Sequence, residues 1–144
     1  MPPTPLPPDV EALLRRPNPA VVASIRPDGS PHTAATWYLL EDDGRVLLNM
    51  DDSRLRLRFL RDNPAVALTV LDGEDWYRHV SLLGRVVEIA PDEGLAGIDR
   101  LARRYRGTPY RNRTSPRTNA WMEVDSWHGW DATGAIRTHA AIRG

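Results

Sequence analysis

Residues 20–50 read AVVASIRPDGSPHTAATWYLLEDDGRVLLNM, and this stretch decides the fold. Ala20 to Ile25 is a short β-branched run. Pro27-Asp28-Gly29-Ser30 has turn chemistry, and Pro31 to Leu40 then reads as a second strand. Glu41-Asp42-Asp43-Gly44 supplies another turn before a strand from Arg45 to Met50. Three strands joined by two tight turns form an antiparallel meander.

Upstream, Asp9 to Arg16 sets Val10, Leu13 and Leu14 at i, i+3, i+4, the spacing of a short amphipathic helix that Pro17 and Pro19 stop. Downstream, Asp51 to Asn63 carries two periods. Leu55, Leu57 and Phe59 alternate with Arg54, Arg56 and Arg58 as in a strand. Asp51, Asp52 or Ser53 offers a helix cap, however, and Asp62-Asn63-Pro64 a helix end, so a helix is expected. Ala65 to Leu71 is a fourth strand, and Trp76 to Ala90 a long fifth one in which Gly84 marks a bulge or a close backbone approach. Pro91-Asp92-Glu93 opens a helix with Leu95, Ile98, Leu101, Ala102 and Tyr105 on its apolar stripe, ended by Gly107-Thr108-Pro109. An arginine-rich loop, Thr108 to Thr118, leads to a sixth strand from Asn119 to Asp125. Six strands at this turn spacing predict a mainly β protein, a small antiparallel barrel with flanking helices. A β-sandwich is the alternative.

The 144 residues fit a single domain, placed at residues 9–130 between a proline-rich leader (1–8) and a tail (131–144) without periodicity, expected to be mobile. With 41% hydrophobic and 26% charged residues and a formal net charge of zero, the composition is that of an ordinary globular protein. The absence of cysteine excludes disulfides, thiolate catalysis and cysteine zinc sites. All 19 basic residues are arginine, which excludes a lysine Schiff base and a P-loop lysine. No apolar run approaches a membrane span, and the leader is too rich in proline for a signal peptide, so a cytoplasmic location is expected. Asn112-Arg113-Thr114 matches a glycosylation sequon and is read as chance.

Neutrality hides two arginine clusters. Arg54, Arg56, Arg58 and Arg61 share one short segment, and seven more arginines lie from Arg100 to Arg117 with no acid among them. Such local positive potential calls for an anionic partner. On a helix, Arg54, Arg58 and Arg61 share a face that Arg56 leaves, and the backbone N–H groups of that helix start would add a phosphate site. Aromatics gather at Trp37-Tyr38, at Trp76-Tyr77 and at Trp121, Trp127 and Trp130. They suit either a core or a flat wall for a planar, phosphorylated cofactor. Familiar catalytic motifs are missing. His32, His79, His128 and His139 are scattered and only Asp125 with His128 resembles a ligand pair, so no metal site is expected. An enzyme of this composition relies on a bound cofactor. Net neutrality argues against a nucleic-acid binder.

The order of elements resembles the pyridoxamine-phosphate-oxidase-like split β-barrel flavoproteins. The resemblance is carried by Val21-Val22-Ala23-Ser24-Ile25, by Asp28-Gly29-Ser30-Pro31-His32 and by Thr36-Trp37-Tyr38. It continues through Asn49-Met50-Asp51-Asp52-Ser53-Arg54-Leu55-Arg56, where that family has its cofactor-phosphate motif. The strand Trp76-Tyr77-Arg78-His79 … Gly84-Arg85-Val86 and the helix Asp99-Arg100-Leu101-Ala102-Arg103-Arg104-Tyr105 extend it over residues 9–130. Within the superfamily the chain looks most like the branch that uses the deazaflavin coenzyme F420, common in actinobacteria. The family often has lysine where this chain has Arg56, which keeps the charge, and asparagine near Phe59, where a polar contact is lost.

The resemblance implies an F420-dependent oxidoreductase, a reductase passing hydride from reduced F420 to an electron-poor small molecule. It also implies a homodimer with cofactor sites at the subunit interface. Ser53, Arg54, Leu55 and Arg56 fall in the phosphate motif, and Thr36, Trp37, Asn49 and Met50 border the ring system. Trp76, Arg78 and His79 of the partner subunit close the pocket. The second arginine cluster becomes a groove for the oligoglutamate tail of F420. An FMN-dependent oxidase and a non-catalytic F420 carrier are the alternatives. Tyr38, His79, Tyr105 and bulk water are the candidate proton donors, and no catalytic residue is singled out.

Overall fold

A computed structural model describes residues 5–131; the expectations for the first four residues and for the tail from residue 132, His139 included, lie outside them. In chain order the elements are α1 (Pro8–Arg15), β1 (Ala20–Ile25), β2 (Pro31–Thr36), β3 (Leu39–Leu40), β4 (Val46–Asp51) and α2 (Leu55–Asp62). They continue with β5 (Ala65–Leu71), β6 (His79–Pro91), a 3₁₀ turn at Glu93–Leu95, α3 (Ala96–Arg106) and β7 (Arg117–Trp130). One wholly antiparallel sheet runs in the order β2-β1-β5-β6-β7-β4-β3. No helix among the described residues is long and apolar enough to cross a membrane.

The expected strand from Pro31 to Leu40 is two strands, so the sheet has seven rather than six. β2 ends one edge of the sheet and β3 the other, yet only Trp37 and Tyr38 separate them in the chain. The three Cα steps from Thr36 to Leu39 span at most about 10 Å. The sheet must therefore curl until its two edges nearly meet, a barrel left unsealed between β2 and β3. Tyr38 occupies the seam, fully buried, and its hydroxyl donates to the Arg16 carbonyl at 2.8 Å.

Inside the curl, Val22 of β1, Leu48 and Met50 of β4, Leu68 and Val70 of β5, Leu82 of β6 and Met122 of β7 form the core. The stripe Val10, Leu13 and Leu14 of α1 joins the same core, as its spacing predicts. Arg104 of α3 then donates to the carbonyls of Leu14, Arg15 and Arg16 at 3.0, 2.7 and 2.6 Å, satisfying the open C-terminal end of α1.

Helix, rather than strand, is what Asp51 to Asn63 forms. Leu57, Phe59 and Leu60 are buried while Leu55 is 58% exposed, so the alternating pattern was never one face. None of Asp51, Asp52 and Ser53 caps it: Arg54 holds the cap position without a side-chain bond, because Asp51 accepts the Ser53 N–H and Asp52 accepts the Thr118 hydroxyl. Phe59 sits edge-on to His32, with ring centroids 5.4 Å apart. The fifth expected strand begins at His79 rather than Trp76, because residues 75–78 close a turn in which Arg78 N–H donates to the Asp75 carbonyl. Pro91 ends that strand instead of opening a helix, and regular helix starts at Ala96. The last strand runs from Arg117 to Trp130, longer than the expected Asn119–Asp125, because it pairs with β4 and with β6 along nearly its whole length.

Two such long strands keep register only through bulges, one of them between Leu83 and Gly84, the position the sequence marked. A Cβ at Gly84 would lie 1.9 Å from the backbone oxygen of Glu123. Gly84→Ala is expected to cost about 3 kcal/mol, the upper range for forced overpacking, in urea unfolding. A cost under about 0.5 kcal/mol, the level of a neutral surface change, would show that β6 and β7 part freely there.

Candidate functional site

Along the open side of the barrel, β2, β4, α2, α3 and the loop after α3 enclose a cavity of about 530 Å³. One wall is aromatic. Trp37 stacks on Tyr105 at 5.2 Å between centroids with planes 9° apart, and Tyr110 meets Trp37 edge-on at 6.2 Å. The guanidinium of Arg106 lies 5.8 Å from the Trp37 ring centre. Arg56 and Arg117 also line the cavity, and the Arg117 guanidinium lies 4.8 Å from the centre of the Tyr110 ring.

Arg56 is half-buried and makes no ion pair among the described residues, whereas Arg54, Arg58 and Arg61 are exposed to water. The helical face that three arginines share is thus the solvated one, and the arginine that leaves it reaches the cavity. Burial first, then the charges of Arg54 and Arg117, push the Arg56 pKa below its usual value. Arginine's intrinsic basicity keeps it charged regardless. An uncompensated cation beside like charges and an aromatic wall is a place where an anion relieves unfavourable electrostatics.

The cavity's shape rests on a buried polar network. Asp92 accepts from the Gly97 and Ile98 backbone N–H groups at 2.7 and 2.9 Å, so its carboxylate caps α3. It also accepts from Asn49 at 3.0 Å and from Asn119 at 3.4 Å, and Asn49 in turn accepts from Arg117 Nε at 2.7 Å. Gly97 has to be glycine, since a Cβ there would lie 2.1 Å from Asn119 Oδ1.

The loop of residues 107–116 is clasped from below. Arg113 donates to both oxygens of Asp99, at 2.6 and 3.1 Å, and the Tyr110 N–H adds a third bond at 3.0 Å. Arg100 pairs with Glu41, and Arg104 caps α1. The seven-arginine stretch is therefore less free than its sequence implies, because acids pair with Arg100 and Arg113 and backbone carbonyls hold Arg104.

Of the residues singled out in the sequence, Thr36, Trp37, Asn49 and Arg56 line the cavity. Met50 is buried in the core beneath it, and Ser53, Arg54 and Leu55 lie on the exposed entry to α2. Trp76, Arg78 and His79 do not line it. Trp76 stacks on Tyr77 in an exposed turn, Arg78 donates to Asp131 at 2.9 Å, and His79 Nδ1 sits 3.3 Å from the Trp76 carbonyl. Tyr38 and Tyr105 are poorly placed as proton donors: their hydroxyls donate to the Arg16 and Asn18 carbonyls, and burial pushes both phenols up in pKa. Arg117, Tyr105 and Tyr110 line the cavity without having been singled out as ligand contacts. Tyr105 had drawn notice on the apolar stripe of its helix and as a candidate proton donor; for Arg117 and Tyr110 the signal was a place in or beside the second arginine cluster, which does not say which side chains turn inward.

The family model described as pyridoxamine 5'-phosphate oxidase matches residues 6–131, and the chain belongs to that family, with its split-barrel fold. Among solved structures, an F420 reductase is 29% identical with a TM-score of 0.77, covering 85% of this chain and 98% of that one. A conserved hypothetical protein from Mycobacterium tuberculosis is 23% identical with a TM-score of 0.72, covering 99% and 95%. A heme binding protein from Mycobacterium smegmatis is 18% identical with a TM-score of 0.70, covering 96% of this chain and 59% of its own. The last two likenesses speak for the fold alone. No curated protein sequence matches the chain.

Arg113 and the Tyr110 N–H hold the Asp99 carboxyl below its ordinary value of 3.8. A depressed acid contributes stability that is complete above its unfolded value and is lost as pH falls through its lower folded value. Below pH 3.8 the wild type should therefore lose more stability than Asp99→Asn, which carries no such proton linkage. Parallel pH profiles of unfolding free energy for the two proteins would remove the clasp's electrostatic role.

Proposed function

We propose that this protein is a reductase that uses coenzyme F420 and acts on an unsaturated small molecule. The observation that carries the reading is Arg56: a half-buried guanidinium, without an acidic partner among the described residues, opening onto an aromatic-walled cavity. The likeness to an F420 reductase, which this chain matches over nearly all of that protein's length, supports it. When bound, F420 supplies the hydride for reduction of an electron-poor C=C or C=N bond.

The chain's own residues bind, orient and exclude water. Arg56, with Arg54 and Ser53 at the entry to α2, holds the cofactor phosphodiester by charge-assisted hydrogen bonds. Trp37 and Tyr105, already stacked, give the ring system a preformed wall and so lower the entropy of positioning. Arg103, Arg106 and Arg111 make no ion pair among the described residues and face an oligoglutamate tail. Arg113 is committed to Asp99, so the tail groove is assigned without it.

A homodimer belongs to the same proposal. Trp76, Tyr77 and Trp130 are 62, 55 and 50% exposed, an apolar expanse that a second copy would cover. Trp76, Arg78 and His79 of the partner subunit would then close the cavity.

Titration of the purified protein with oxidised F420 and with FMN, followed by tryptophan quenching, tests the cofactor. Selective saturation by F420 is expected; selective saturation by FMN would transfer the protein to an FMN-dependent oxidase reading. Binding of F420 without substrate-dependent oxidation of its reduced form would leave a carrier. Arg56→Ala should weaken F420 binding by about 1.5–3 kcal/mol, the range of a charged hydrogen bond. Arg111→Glu should weaken long-tailed F420 more than a tailless analogue, and most at low salt. Equal effects on the two ligands would remove the tail groove.

A further inference from the structure

Asn49 lines the cavity, yet most of its amide is already committed. Its orientation is forced: Arg117 only donates and the Asp92 carboxylate only accepts, so Oδ1 must face Arg117 and Nδ2 must face Asp92. Nδ2 also donates to Asn119 Oδ1 at 2.7 Å. Asn49 is 5% exposed and Asp92 7%, so these bonds are made out of water, where they fix geometry firmly.

Arg117 is held from several sides. Its Nε is fixed by Asn49, one face of its guanidinium lies 4.8 Å from the centre of the Tyr110 ring, and its carbonyl accepts the Asp92 N–H at 2.9 Å. Its two terminal amino groups donate to no protein acceptor among the described residues, and the side chain lines the same cavity as Arg56. A guanidinium anchored at Nε presents both terminal groups as a fork, the geometry that grips two oxygens of one oxyanion.

We propose that Arg117 is a second anion-binding residue of the cavity and that Asp92, acting through Asn49, positions it. The chemical class of its ligand is a phosphate ester or a comparable oxyanion with at least two free oxygens. The inference rests on the reading of the cavity as a cofactor site but names residues which that reading does not need. The carboxylate that sets Arg117 also caps α3, so the second cation of the cavity and the start of the helix bearing Tyr105 are set by one group.

The test is a titration of the ¹⁵N-labelled full chain with inorganic pyrophosphate, read on the arginine Nε–H resonances. In the wild type, the Arg117 Nε–H should exchange slowly and shift on titration. Asn49→Ala and Arg117→Ala should each raise the pyrophosphate Kd about tenfold, and the double variant should be no weaker than Arg117→Ala alone. Additive losses would overturn the positioning role, and an unchanged Kd in Arg117→Ala would overturn the binding role. Arg117→Lys leaves Asn49, Asn119 and Asp92 and the bonds among them in place, so it keeps the test open should Asn49→Ala unfold. It retains the charge but lacks the Nε anchor and the fork, and is expected to bind about tenfold more weakly; wild-type affinity there would overturn the proposal. F420 and FMN form a separate arm. The expected pyrophosphate pattern in a chain that binds neither would overturn the cofactor reading alone, while F420 binding without that pattern would overturn this inference alone.

Discussion

The carboxylate of Asp92 joins three parts of the molecule that are far apart in the chain. It accepts the first free N–H groups of α3, the amide of Asn49 on β4 and the amide of Asn119 on β7. A buried carboxylate tolerates removal from water only when its oxygens are filled with donors, and here four donors converge on it. Because two of these donors belong to α3 and two to the sheet, the angle of α3 against the sheet is strongly specified. The aromatic wall stands on that angle, because Tyr105 projects from α3 and Trp37 stacks on it.

The barrel seam is the second constraint. Trp37 and Tyr38 are the shortest link between the two edges of the sheet, and they face opposite demands. Tyr38 fills the seam from inside with its hydroxyl on a backbone carbonyl, while Trp37 turns out to line the cavity. Two consecutive residues of an extended segment point to opposite faces, so a single dipeptide both closes the fold and supplies a cavity wall. Edge strands normally need protection from pairing with other chains. Here the curl brings the two edges toward each other.

Charge distribution shows how function sits on this frame. A chain of zero net charge separates its arginines into those neutralised by partners and those left free. Arg113, Arg100 and Arg85 are spent on Asp99, Glu41 and the pair Glu123 and Asp125, which pin loops and strands. Arg56 and Arg117 are spent on no acid among the described residues, and both line the cavity. The positive character of the cavity thus comes from how the chain folds rather than from an excess of basic residues.

Much of the fold was legible in local patterns. The turn residues of Pro27-Asp28-Gly29-Ser30 and Glu41-Asp42-Asp43-Gly44, the stripe of Val10, Leu13 and Leu14, and the odd glycine at position 84 all report constraints acting within a few residues, and sequence pattern records such constraints directly. The charge of Arg56 and its departure from the face of Arg54, Arg58 and Arg61 were equally readable from helical geometry. What the sequence could not determine was where that departure led, which of seven arginines joined it, or that Asp92 would serve as a hub rather than a first-turn acid. Those outcomes depend on partners 43 and 68 residues away, Asn49 with Asp92 and Asn49 with Arg117. The pairing of β7 with both β4 and β6 sets Asn49 opposite Asn119 and brings the segment before α3 beside them, and hydrogen bonds across such separations leave no periodicity in the chain to read.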